Sequence, residues 1–288
     1  MANKRPQYRR YTRSTFGNIL YFLILLLLGA FTVLPLIYCI STSLKPLDEL
    51  LIFPPKFFVE RPTFSNYLVL PSLLSNIQVP LSRYVFNSFF VSITGTVLHI
   101  FVASLAAFTF SKSKRKWKGR LFWLVQIMLL YNGVTLGVPQ YYIFSKLHML
   151  DSYAVYILPA IPSAVGCFLM KQFMDEAIPD ALMEAARIDG AGILKMYWKI
   201  VMPILKPAWM TLLLLSFQTM WATSSTGSIF SEQLKTLPQV MSSIAAGGIA
   251  RSGSAMAVTV ILSIPPIFVF LVSQSNVMET MGSSGIKG

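Results

Sequence analysis

Apolar residues in this chain come in long blocks rather than in the short alternations of a water-soluble fold. Six blocks stand out, over residues 17–40, 84–110, 121–144, 153–170, 208–223 and 255–272. A helix needs roughly 20 apolar residues to cross a bilayer, so the pattern predicts an all-α integral membrane protein with six transmembrane helices. Pro159 and Pro162 interrupt the fourth block and Pro265 and Pro266 the sixth, while Gly133, Gly137 and Pro139 interrupt the third. A proline removes a backbone donor and bends a helix, which fits either ordinary kinked spans or helices that gate a path. Two links are long. The one over 45–83 holds PPKFF and RPTFSNY and predicts a partly ordered cap with a short surface helix. The one over 227–253 holds SSIAAGGIARSG, apolar but glycine-broken and too short to span. Irregular backbone at membrane depth survives only against protein or a cavity, so this segment is expected to dip back into the protein.

Composition agrees with the blocks. Of 288 residues 55% are hydrophobic and only 12% are charged, against about 25% charged in a soluble domain. The net charge of +13 is not spread like a phosphate-binding track, so no nucleic-acid partner is expected. Instead Lys and Arg gather at block ends. Seventeen fall in the N-terminal tail, in SKSKRKWKGR, in the 171–206 link and at Lys287, and seven fall in the remaining links. The positive-inside rule then places both termini in the cytoplasm. The reading is a basic tail over 1–16, one transmembrane domain over 17–276 and a C-terminal tail over 277–288. The first block is too long for a signal peptide and is read as an uncleaved span. Cys39 and Cys167 both lie in apolar blocks and suggest neither a disulfide framework nor a metal site.

Several chemistries are missing. There is no Gly-rich phosphate loop of the G-x-x-x-x-G-K-[ST] type, so ATP binding in that manner falls to another polypeptide. No Asp or Glu lies in any of the six blocks, whereas ion-coupled carriers ordinarily need such a carboxylate. His99, alone near the middle of a block, reads as a packed core residue. No catalytic constellation and no metal-ligand cluster is evident, so the chain reads as a passage powered from elsewhere and not as an enzyme.

The 175–207 link is the most informative segment. Pro179 suits a helix start, and Asp180 and Glu184 lie in the first turns, favourable against the helix dipole. Ala181, Ala185 and Ala186 form helix with little bulk. Asp189-Gly190 is a stop signal, Gly being able to take a left-handed cap. A second helix is expected over about 191–202, ending at Pro203, with Ile193, Met196, Tyr197, Ile200 and Val201 at helical spacing. A small-surfaced, acid-bearing helix with a glycine corner fits a socket in a partner better than a membrane surface.

Glu184-Ala185-Ala186, Asp189-Gly190-Ala191 and then Ile200-Val201-Met202-Pro203 resemble the EAA loop of binding-protein-dependent ABC import permeases, the MetI-like type I family. The segments from Asn87, from Pro139 and from Phe168 resemble the flanks of that loop, so the likeness runs from about residue 15 to the end. The carbohydrate-importing, maltose-permease type is the most similar branch. The resemblance implies a bacterial plasma-membrane protein that pairs with a second homologous permease as a heterodimer. It implies two ABC ATPase subunits that bind the ATP and Mg, an external solute-binding protein, and a sugar or oligosaccharide as cargo. By the same resemblance Glu184 pairs with the ATPase and Gly190 sets the corner. The chain departs from the pattern at Met220-Trp221-Ala222-Thr223, where the family often has Trp-Asn-Asp, and in its tail. An importer for another solute, or a channel or scaffold without an ATPase, stays open.

A sugar path needs hydroxyl-matching polar groups and flat aromatic faces. Phe217, Gln218, Trp221 and Thr223 on the fifth block, with Tyr131 and Asn132 on the third, are the candidates. The alternative for each is plain helix-to-helix bonding, at about 0.6 kcal/mol apiece.

Overall fold

The structure is a computed structural model and describes residues 15–75, 79–131, 136–224, 227–245, 247–248 and 251–284. Among these the regular elements are all helical. Helices of nine residues or more are numbered here. They are α1 (Thr15–Ser43), α2 (Leu81–Lys112), α3 (Lys118–Met128), α4 (Gly137–Lys146), α5 (Ala164–Ala177), α6 (Asp180–Ile188), α7 (Lys206–Trp221), α8 (Leu237–Ala245) and α9 (Ser252–Ser284).

Among the described residues four stretches are long and apolar enough to cross a membrane, namely Phe16–Ser43, Leu81–Lys112, Ala154–Ala177 and Ser252–Ser275. They coincide with the first, second, fourth and sixth predicted blocks. The third block is divided between α3 and α4, and residues 132–135 lie outside the described set. The fifth block falls in α7, which has 16 residues and meets the Ile193–Ile204 segment at a bend of 78°.

Proline acts unevenly. In the fourth block the helix gives way to a 3-10 turn at Leu158–Ala160 and restarts at α5, where the Ser163 hydroxyl accepts the Gly166 N–H at 3.0 Å. Pro265 and Pro266 sit inside α9 without ending it, and α9 runs on to Ser284, well past the predicted end at 272.

The core is built around α2. It packs against α5 and α7, and α7 packs in turn against α9, with α1 laid along α9. Below, Ala103 and Ala107 of α2 meet Met170, Met174, Met183, Val201 and Leu212. Alanines on α2 let the facing helices come close, and flexible methionines fill what remains. At the other end Tyr84 meets Leu237, Val240, Ile244 and Val258. That cluster draws α8 back against α2, as expected for the 227–253 segment. Side chains of α2 hold it there. Asn87 donates to the Gln233 and Lys235 carbonyls, both at 2.8 Å, and Ser88 Oγ accepts the Leu237 N–H at 2.8 Å. α1 is the exception to burial, since none of its apolar window is buried within the chain. A helix apolar all round and unburied suits a lipid environment.

Candidate functional site

Two places carry functional geometry, an elbow at the foot of the bundle and a cavity among its helices. In the elbow, α6 ends at Gly190, whose φ is +76°. The Gly190 N–H reaches the Arg187 carbonyl at 3.1 Å and the Ala191 N–H reaches the Ala186 carbonyl at 2.9 Å. This paired closure is the Schellman arrangement, which needs a left-handed residue and so favours glycine. Ala186 and Ala191 pack into the same apolar cluster beneath the turn. The chain then continues as Ile193–Met196, a π turn at Tyr197–Val201 and a last turn at Met202–Ile204. The expected stop at Pro203 is therefore displaced. Proline needs no N–H in the first turn of a short helix, and the break comes at Leu205, where the Trp209 indole donates to the Met202 carbonyl at 3.2 Å.

The EAA residues divide by face. Glu184 and Ala185 are exposed, and Ala186 is buried against the bundle. The alanine pair is thus one exposed residue and one packing residue. Large side chains of the elbow are exposed as well: Ile188 at 86% and Leu194 at 71%, which the sequence reading did not single out, and Ile193 at 66%, which it grouped with Met196 and Tyr197, both buried.

Lysines at the end of α2 and in the link to α3 reach this elbow. The Lys112 ammonium donates to the Ile178 carbonyl at 2.6 Å and to Asp180 Oδ1 at 2.9 Å. One cation thereby joins the ends of α2 and α5 to the start of α6. Hydrogen bonding and charge from Lys112 hold the Asp180 carboxyl below the usual carboxylate range, with Lys118 and Lys114 adding to it. Glu184 Oε1 lies 3.3 Å from the Lys114 ammonium, both groups well exposed. Such pairs contribute about 0–1 kcal/mol, so Glu184 stays free to exchange partners. The SKSKRKWKGR run served only to orient the chain in the sequence reading. A basic residue closing a helix opposite an acid opening another was the signal available there.

The cavity holds about 940 Å³. The first turn of α5, with Ser163, forms one wall. Tyr131, Gln140 and Tyr141 line another, and Ser216, Gln218 and Thr219 of α7 a third, with Thr223 just past its end. Among its described lining residues Asp, Glu, Lys and Arg are absent. Of the predicted path residues, Tyr131, Gln218 and Thr223 reach this space. Phe217 and Trp221 do not. Both are buried, stack on each other at 5.8 Å, and Trp221 donates to the Leu262 carbonyl at 2.8 Å while meeting Phe89 edge-on. Their aromatic area goes into joining α7 to α2 and α9. Asn132 lies outside the described residues. His99 borders the cavity as a packed residue, with Nδ1 donating to the Ala160 carbonyl at 2.8 Å and Nε2 buried against Gly166.

Residues 99–281, more than half of the chain, match the family described as binding-protein-dependent transport system inner membrane component. The chain belongs to that family. As one of its members it is a multi-pass inner-membrane transport component and not an enzyme. It is 31% identical over 269 residues to the sulfoquinovosyl glycerol transport system permease protein of Agrobacterium fabrum, covering 92% of this chain and 91% of that one. It is 28% identical to the arabinooligosaccharides transport system permease protein of Bacillus subtilis over the full length of both. The fold is similar to a chain in the crystal structure of a bacterial ABC transporter involved in the import of the acidic polysaccharide alginate. That match has a TM-score of 0.74 and 23% identity, and covers 92% of this chain and 99% of that one.

Proposed function

We propose that this permease forms half of the translocation path of an ATP-driven importer for sugars or oligosaccharides. Its partners are a second permease, two ATPase subunits that bind the ATP and Mg, and an external binding protein. In this reading the chain makes six spans with both termini cytoplasmic, and residues 175–207 are the coupling loop. The relatives named above belong to transport systems for sulfoquinovosyl glycerol and arabinooligosaccharides, and a third to one for polygalacturonan and rhamnogalacturonan. The hydroxyl and amide groups set among the apolar lining of the cavity, such as Tyr131, Gln140, Ser216, Gln218 and Thr219, can bond the hydroxyls common to such cargo.

One observation carries the coupling role. The α6 elbow is closed by backbone bonds and buries Met183 and Ala186 toward the bundle, yet it leaves Glu184, Ala185, Ile188 and Leu194 outward. Exposed apolar side chains beside an acid with a weak internal partner form a docking surface. Glu184→Lys should leave membrane insertion intact and abolish both ATPase co-purification and uptake. Wild-type levels of both in that variant would exclude the elbow as the docking point.

A further inference from the structure

The loop after α1 bears on how the chain sits in the bilayer. Residues 44–62 leave α1 at Ser43 and do not continue outward. Phe57 returns beside the helix, its carbonyl accepting the Ser41 hydroxyl at 2.9 Å and its ring lying 5.5 Å from that of Tyr38. At 1.5 Å per residue, Tyr38 lies about 7 Å short of the α1 end. The loop therefore folds back to a depth that belongs to the apolar span itself. Phe58 stands 5.0 Å from Phe57, edge to face, and is 68% exposed, while Phe53 is 92% exposed. Leu51 and Ile52 are exposed beside them.

Two charged groups of the same loop, Lys45 and Glu49, are buried, while Asp48, Lys56, Glu60 and Arg61 are exposed and paired. Glu49 is buried and accepts the backbone N–H groups of Glu60 and Arg61, at 3.2 and 2.8 Å. Arg61 pairs with Asp48 and Glu49, and Lys56 with Glu60. Lys45 is buried over the Tyr38 ring and donates to the Lys56 carbonyl. Leu51, Ile52, Phe53 and Phe58 are exposed apolar side chains of the loop, and the Phe57–Tyr38 contact sets the segment beside the unburied α1.

We infer that the Leu51–Phe58 segment is a membrane anchor, with Phe53 and Phe58 seated in the lipid leaflet at the Ser43 end of α1. Exposed Phe and Leu side chains are stabilised by leaving water, and the Lys56–Glu60 and Arg61–Asp48 pairs lower the cost of bringing the loop to the lipid surface. The inference concerns depth in the bilayer and does not rest on the transport reading.

Its test is site-directed spin labelling of the full-length chain with its co-purifying subunits. Phe53→Cys, Phe58→Cys and Glu60→Cys are made singly in a Cys39→Ala, Cys167→Ala background. Each is reconstituted in phosphatidylethanolamine–phosphatidylglycerol liposomes and probed with oxygen and a water-soluble nickel chelate. The expected result is an oxygen-to-nickel accessibility ratio several-fold higher at 53 and 58 than at 60. Equal ratios would place the aromatic face in water and overturn the inference. Low access to both probes at 53 and 58 would show a protein covering and overturn it equally. Should the cysteine-free background not assemble, photo-crosslinking from benzoylphenylalanine at position 58 in the wild-type background gives the same decision. A lipid adduct supports the anchor, and a protein adduct or none overturns it.

Discussion

Lys112 and Asp180 are 68 residues apart in sequence and 2.9 Å apart in space. The same ammonium also closes on the Ile178 carbonyl. The last residue of α2 is thus fastened to the hinge between α5 and α6. Its side chain is only 9% exposed, which separates it from an ordinary surface pair. Lys112→Ala leaves the buried Ile178 carbonyl without its charged donor, at about 1–3 kcal/mol. The expected phenotype is a chain that still inserts and retains its ATPase but transports less per ATP hydrolysed. Parallel uptake and hydrolysis assays decide this, with Lys112→Arg restoring part of the ratio.

The same contact sets a pH dependence. Lys112 depresses the Asp180 carboxyl relative to its unfolded value, which is about 3.9. A depressed acid stabilises the fold above the unfolded value and loses that contribution as pH falls through the folded one. The elbow should therefore hold unchanged across neutral pH and loosen only below about pH 4. Hydrogen exchange of α6 amides at falling pH measures this, and Asp180→Asn should remove the acid-side step.

Gly190 tests the corner. No atom lies within 4 Å of a Cβ placed there, but its φ of +76° strains any L side chain. Gly190→Ala should cost about 1 kcal/mol through backbone conformation alone. ATPase affinity should weaken modestly, as read by co-purification at graded salt. Gly190→Asn, which tolerates the left-handed region better, should weaken it less.

Gly166 fails for the opposite reason. A Cβ there would meet His99 Nε2 at 2.6 Å and Ala103 Cβ at 3.3 Å, while the His99 ring is held by its bond to Ala160. Gly166→Ala should overpack the α2–α5 seam by about 1–3 kcal/mol and lower the unfolding temperature in detergent. Combining it with His99→Ala should recover part of the loss, giving a non-additive pair.

The apolar blocks made α1, α2 and α9 legible, because each is a long apolar run, although Pro265 and Pro266 fall inside the one that becomes α9. The EAA pattern and Asp189-Gly190 made the elbow legible, because a left-handed cap leaves a glycine in the sequence. Facing was not legible. Ala185 and Ala186 are adjacent and chemically alike, yet one is exposed and the other buried, since only the packed neighbour decides. Phe217 and Trp221 suited a sugar equally well on paper. What assigns them to the α2 and α9 contacts is Phe89 and the Leu262 carbonyl, both far away in sequence. Lys112 read as topology charge because its two acceptors lie more than 60 residues on.

The 78° bend at Leu205 gives α7 a leverage. α7 spans 16 residues, so about 24 Å separates its foot from the Gln218–Thr223 end at 1.5 Å per residue. A sideways load of the Ile193–Ile204 segment, lying across that foot, is delivered as tilt. Over such an arm a rotation of about 10° sweeps the far end through about 4 Å, roughly the thickness of a sugar ring. A rigid corner and one long rod thus suffice to move a cavity wall, with no residue of the wall itself changing its rotamer.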